Sequence, residues 1–242
     1  MSVLARVRAA GGLAILIDPD RVDADQACAL ATRAADEGVC TVLLGTSFGS
    51  TGRTGRVARA LRDASLPIPV IQFPATAGDL VAEVDAVLLL SLVSGRNPQY
   101  LIEEHVRAVP FFERHPSIEA ISTAYVLIDG GRVTSVEAVS QTRPLPADKP
   151  ELVRAHVRAA SLIGMAATYV DAGSGARLAV APALVAAARE STDGLLLVGG
   201  GITDGDSVRA ARDAGADVVV VGSLFERETT RSMRDLALAA RA

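Results

Sequence analysis

At 242 residues, half of them apolar, the chain is long enough to bury one full core of barrel size, which excludes a disordered or disulfide-stapled scaffold. A net charge of -4 and the lack of tryptophan leave no basic stripe with aromatic platforms, so nucleic acid is not expected as a partner and any phosphate has to be held locally. The first apolar segment, Leu13-Ala14-Ile15-Leu16-Ile17, stops at Asp18, too short for a signal-peptide core or a membrane span; a cytoplasmic protein is expected, with Cys28 and Cys40 as reduced packing residues.

Short β-branched or leucine-rich runs recur along the chain, separated by longer Ala/Arg/Glu-rich segments with helical spacing, the pattern of a parallel sheet wrapped by helices. The strands fall near Leu13–Asp18, Thr41–Gly45, Pro69–Phe73, Ala86–Ser91, Ala124–Ile128, Ala167–Val170, Leu195–Val198 and Val218–Val221. Helices include Ala24–Glu37, Lys149–Leu162, Ala183–Glu190 and Asp206–Ala214. Eight such strands imply an α/β fold, a closed TIM (β/α)8 barrel in which residues 1–242 form one domain, with the site at the C-terminal strand ends.

Two connections are irregular. Only Pro74–Asp85 separates the third strand from the fourth, about the minimum for a parallel crossover, so the helix expected there is short or absent. After the fifth strand, Asp129-Gly130-Gly131 is a hairpin turn signal, and the alternation over Val133-Thr134-Ser135-Val136-Glu137-Ala138-Val139 predicts a hairpin insertion beside the barrel mouth.

Chemistry concentrates at strand ends. Tyr169 and Asp171 close the sixth strand on one face, directly before Gly173-Ser174-Gly175. Two more strand-to-glycine junctions follow, Gly199-Gly200-Gly201 and Gly222-Ser223, each opening onto a helix-like segment; glycine lets backbone N–H groups approach an anion, and a helix start adds partial positive charge, so the set reads as a phosphate cradle. Asp171 is a candidate general base, or the cap of the glycine turn that follows it. Asp18, in Asp18-Pro19-Asp20-Arg21, together with Ser47 offers sparse oxygen ligation of the kind magnesium takes; a turn followed by a helix cap is the other reading. His105, His115 and His156 show no ligand spacing.

Several blocks in order along the chain resemble one family, the geranylgeranylglyceryl phosphate synthases and their bacterial relatives, and within it the second subgroup. They are Leu16-Ile17-Asp18-Pro19-Asp20, Ser91-Leu92-Val93-Ser94-Gly95-Arg96-Asn97-Pro98, Tyr125-Val126-Leu127-Ile128-Asp129-Gly130-Gly131 with Thr134-Ser135-Val136, Pro144-Leu145-Pro146 with Lys149, Gly199-Gly200-Gly201-Ile202, and Gly215-Ala216-Asp217 leading to Gly222. The resemblance implies a TIM-barrel prenyltransferase that joins a geranylgeranyl group, from its diphosphate, to the 3-hydroxyl of sn-glycerol 1-phosphate, giving an ether-lipid precursor and diphosphate. It places magnesium at Asp18 and Ser47, and glycerol phosphate at Tyr169, Val170, Asp171, Ala172, Gly173, Ser174, Gly175, Gly200, Gly201, Gly222 and Ser223.

It also implies a homo-oligomer, a catalytic role for Asp171 where the family carries glutamate, and a missing third helix that opens a groove for the prenyl chain. Arg21 stands where the family has lysine, and Ser122-Thr123-Ala124-Tyr125 lacks the family's glycine before the tyrosine. Transient contact with a membrane surface is compatible with such a substrate. Two other readings use the same phosphate loops: a phosphosugar isomerase or biosynthetic barrel, and a barrel that binds prenyl or glycerol phosphates without turnover.

Overall fold

The computed structural model describes residues 1–46, 52–222 and 233–241. Eight parallel strands, β1 (Gly12–Ile17), β2 (Thr41–Leu44), β3 (Val70–Gln72), β4 (Ala86–Leu92), β5 (Glu119–Leu127), β6 (Ala167–Asp171), β7 (Leu195–Gly199) and β8 (Val218–Val221), close into a barrel in chain order. Closure is by β8 against β1, with Ala14 opposite Val220. Around it run α1 (Val3–Ala10), α2 (Ala24–Asp36), α3 (Arg53–Asp63), α4 (Glu104–Arg114), α5 (Ser135–Ser140), α6 (Pro150–Leu162), α7 (Pro182–Arg189), α8 (Gly205–Asp213) and α9 (Met233–Ala239).

The strands read as continuous apolar runs because both faces are buried, and strand alternation divides them into two cores. Leu13, Ile15 and Ile17 of β1 pack outward with Val42, Leu44 and the helices. Ala14, Leu43, Ile71, Leu88, Leu197 and Val220 fill the barrel. The lower end of that inner core is stopped by α1, whose Val7 is buried in it; Glu119, at the start of β5, accepts hydrogen bonds from the Val3 and Leu4 N–H groups and so holds the open end of α1. Helix α2 begins in a reciprocal capping box, Gln26 N donating to Asp23 Oδ1 at 2.9 Å and Asp23 N to Gln26 Oε1 at 3.0 Å. Proline in the first turn opens α6 and α7.

Both irregular connections matter for the site. Between β3 and β4 the only helical element is one 3₁₀ turn, Ala77–Asp79, so the short or absent helix expected there is borne out. With no helix over them, Leu89 and Leu90 in the middle of β4 are only partly buried. The hairpin insertion after β5 is not formed. Residues 135–140 are helix α5, and among the described residues the pairing near it is one parallel bridge between Ile128 and Leu145. Val133, Val136 and Val139 are spaced by three, which suits a helix and breaks the alternation of a strand; the turn satisfies its own backbone and sets Val136 onto the inner core. The turn signal itself is real, since Asp129 Oδ1 accepts from Gly131 N at 2.9 Å.

Candidate active site

Strand β6 aims Tyr169 and Asp171 into the barrel mouth, and both are almost fully buried, at 2% and 6% exposure. The register sets Tyr125 of β5 beside Tyr169, and Gly199 of β7 beside Asp171. Each carboxylate oxygen then has a donor: Gly173 N gives to Asp171 Oδ1 at 2.8 Å, and the Tyr125 hydroxyl gives to Asp171 Oδ2 at 2.5 Å. Burial pushes the Asp171 carboxyl above the usual carboxylate range, and these two hydrogen bonds oppose that rise. Burial, followed by the neighbouring Asp171 charge, raises both tyrosines well above their ordinary range, so each keeps its proton.

The glycines beside this carboxylate are there for space. A Cβ at Gly199 would stand 2.5 Å from the Tyr169 hydroxyl, and one at Gly200 would stand 2.6 Å from Asp171 Oδ1. Gly173, Gly200 and Gly201 also have φ of 86°, 79° and 69°, the left-handed region that side chains resist. The helix that follows adds less than the sequence pattern suggests. Asp204 Oδ1 already accepts from Ser207 N at 2.8 Å and caps α8, and that bond holds the Asp204 carboxyl below its ordinary range. The start of α8 is therefore already satisfied by its own cap. Val170 and Ala172 turn their side chains into the outer core, leaving only their backbone toward the mouth.

Across the mouth, Asp18, Asp20, Arg21 and Thr46 face Arg132, Thr134, Ser135, Ser174 and Gly175 around a cavity of about 360 Å³. Asp18 and the Ser174–Gly175 turn, far apart in sequence, thus share one space. Asp18 Oδ1 accepts from Asp20 N at 3.0 Å and its Oδ2 lies 3.3 Å from Arg21 Nε. Thr134 is buried with a hydroxyl that lacks a hydrogen-bond partner. Ser47 and Ser223 lie outside the described residues, and Gly222 closes the end of β8. Among the described residues, no three His, Cys, Asp or Glu side chains are grouped to hold a metal ion.

Beside the mouth, the gap between β3 and β4 opens into an apolar groove lined by Phe73, Ala75, Ala77, Leu88, Leu90 and Tyr125, with Val136 and Val139 of α5 on one side. Two of its polar neighbours are engaged with backbone: Glu104 Oε2 accepts from Ala77 N at 2.7 Å, and His105 Nε2 meets Leu90 O at 2.8 Å. The rings of Phe73, Tyr125 and Tyr169 touch one another, with centroids 5.4–5.8 Å apart, and join groove to carboxylate. Tyr125, Arg132 and Thr134 are the side chains here that the site reading of the sequence left out. Tyr125 carried a signal in its inward strand position, the same face as Tyr169 one strand on.

A family model described as the PcrB family matches residues 7–240. The chain belongs to this family. Among PcrB-family relatives, it is 39% identical over 230 residues to the geranylgeranylglyceryl phosphate synthase of Spirosoma linguale, covering 94% of this chain and 92% of that protein. It is 36% identical over 229 residues to the synthase of that name from Chitinophaga pinensis, covering 94% and 90%. The crystal structure of (S)-3-O-geranylgeranylglyceryl phosphate synthase from Thermoplasma acidophilum, in complex with its substrate sn-glycerol-1-phosphate, superposes with a TM-score of 0.91 at 25% identity, covering 99% of this chain and 98% of that one. The PcrB-family barrel is thus shared almost end to end, with no helix among the described residues long and apolar enough to cross a membrane.

Proposed function

We propose that this enzyme transfers a geranylgeranyl group from its diphosphate to the 3-hydroxyl of sn-glycerol 1-phosphate, forming an ether and releasing diphosphate. The observation that carries the reading is the place of Asp171: a buried carboxylate where a glycine-lined mouth meets an apolar groove. The names of the relatives and the glycerol phosphate bound by the Thermoplasma acidophilum enzyme support the same chemistry. A mostly apolar groove with no Arg or Lys in its lining suits a hydrocarbon better than a second phosphate, which favours this reading over a phosphosugar isomerase.

In this scheme the backbone at Gly173, Ser174, Gly175, Gly200, Gly201 and Gly222, with Ser223, holds the glycerol phosphate, and Tyr169 limits how deeply it enters. As the glycerol oxygen forms its bond to the first carbon of the prenyl chain, its proton passes to Asp171, and diphosphate leaves with the electron pair of the broken C–O bond. General-base help of this kind contributes about 10²- to 10⁴-fold. The Asp18 carboxylate lines the same cavity as the Ser174–Gly175 turn and suits a hard cation such as magnesium, which Asp18 and Ser47 would hold. Such an ion would supply charge balance for a departing diphosphate.

The deciding experiment offers sn-glycerol 1-phosphate and a ladder of prenyl diphosphates to the purified protein and looks for the ether by mass spectrometry. The geranylgeranyl ether is expected, with the 3-phosphate enantiomer a poor substrate. Substrate binding without any ether would leave a binding protein, and equal turnover of both enantiomers would overturn the cradle.

A further inference from the structure

Among the described residues the Tyr125 hydroxyl is the one side-chain donor to Asp171, and nothing in the reaction scheme above uses it. The two residues are 46 positions apart in sequence and meet only because β5 and β6 pair with Tyr125 opposite Tyr169. Their contact, at 2.5 Å, lies in the range of an O–H···O⁻ bond assisted by charge. Tyr125 is itself 5% exposed, its ring packed edge-on against Phe73 and Tyr169, so the hydroxyl has little freedom to swing elsewhere. The same ring lines the apolar groove, so the group that grips the carboxylate also borders the space for the prenyl chain.

We infer that Tyr125 is a positioning residue for the transfer: its hydroxyl locks the Asp171 carboxylate in one rotamer and leaves the free lone pair of Oδ2 toward the junction of groove and cradle, where the glycerol hydroxyl arrives. Gly173 N fixes the other oxygen, so the carboxylate is held at both ends and cannot rotate to follow a misplaced substrate. The inference rests on the reading of Asp171 as the base.

The bond has a second effect. A base works only when ionised, and burial works against ionisation at Asp171 while the Tyr125 bond favours it. Among the described residues, the titratable groups facing Asp171 are Tyr125 from β5 and Tyr169 from its own strand; β7 and the turn after it present the backbone of Gly199 and Gly200. Removing the hydroxyl therefore leaves the carboxyl protonated to higher pH, and turnover should need more alkaline conditions.

Tyr125→Phe keeps the ring and deletes the donor. The expected result is a fall in kcat of about 10- to 100-fold at neutral pH, an unchanged KM for prenyl diphosphate, and an ascending limb of kcat against pH displaced to higher pH, so that part of the loss returns in alkaline buffer. Replacing Tyr125 with 3,5-difluorotyrosine makes the donor stronger without altering its shape and should move the limb the other way, to lower pH; it carries the test if the phenylalanine variant fails to fold. Asp171→Asn is run beside them. If Asp171→Asn is impaired while both Tyr125 variants keep the wild-type kcat and limb, the role of Tyr125 is overturned and the base stands. If Asp171→Asn turns over normally, the base reading itself falls.

Discussion

Gly200→Ala tests whether the mouth is shaped by the absence of side chains. Two costs add there. At a φ of 79°, an alanine occupies the left-handed region, at about 1–2 kcal/mol. Its Cβ would also stand 2.6 Å from Asp171 Oδ1, 2.7 Å from Gly173 N and 2.9 Å from Ala172 N, all backbone or firmly held atoms. Forcing one carbon into such packing adds about 1–3 kcal/mol. The sum, about 2–5 kcal/mol, is a large part of the 5–15 kcal/mol typical of a folded domain. Gly164→Ala is the internal control: it has a φ of 88° with no atom within 4 Å of the new Cβ, so only the backbone cost remains. Urea unfolding of the two variants should differ by about 1–3 kcal/mol, the steric part alone. Gly200→Ala should also lose glycerol phosphate affinity by titration calorimetry, because the Cβ occupies the cradle. Equal destabilisation of the two variants, with affinity intact in both, would refute the reasoning.

Asp171→Asn should lower kcat by about 100-fold or more with little change in glycerol phosphate binding, measured by steady-state kinetics and calorimetry; full turnover would reduce Asp171 to the cap of the Gly173 turn. Asp18→Ala should abolish magnesium-dependent turnover while glycerol phosphate still binds, and activity persisting in chelator would remove the metal from Asp18 and Ser47. Ala75→Trp or Ala77→Trp should shorten the longest prenyl diphosphate accepted, read from a product ladder by mass spectrometry; an unchanged ladder in both would move the chain out of this groove. Cys40, pushed up to about 12 chiefly by burial, should resist a thiol reagent at neutral pH until the protein is unfolded in denaturant, and rapid native labelling would contradict its packing.

The barrel was legible because strands such as Val218–Val221 and Leu195–Gly199, buried on both faces, leave uninterrupted apolar runs between helices. The lower half of β5, from Glu119 to Thr123, was hidden because Glu119, Ser122 and Thr123 interrupt the apolar run; their polar atoms find partners that only the fold supplies, as Ser122 Oγ does in Ala166 N. Helix α5 was hidden by the Asp129-Gly130-Gly131 turn signal, which pointed to a hairpin although the valines after it are spaced by three. At the site, Asp171, Tyr169 and the glycines were visible as strand ends and turns. The Tyr125 bond was not, since it depends on the register of two strands and on the depth of one tyrosine. Nor does spacing reveal that Asp204 caps α8, or that Arg21 folds back onto Asp18.

The groove along the missing helix has a consequence for selectivity. Its walls are mostly hydrocarbon and aromatic, and its ionisable neighbours Glu104 and His105 bond to the backbone of Ala77 and Leu90. Such a channel cannot tell a polyisoprenoid from any other long tail by chemistry; it can only gauge how much hydrocarbon fits, at about 0.8 kcal/mol per buried methylene. Recognition of the reacting end is left to the mouth, where charge and donors are. Prenyl alcohols, fatty acids and detergents should therefore act as competitive occupants of the gutter, ranked by tail length and blind to double bonds. A washed preparation would then show higher apparent affinity for prenyl diphosphate than one taken straight from detergent-treated cells.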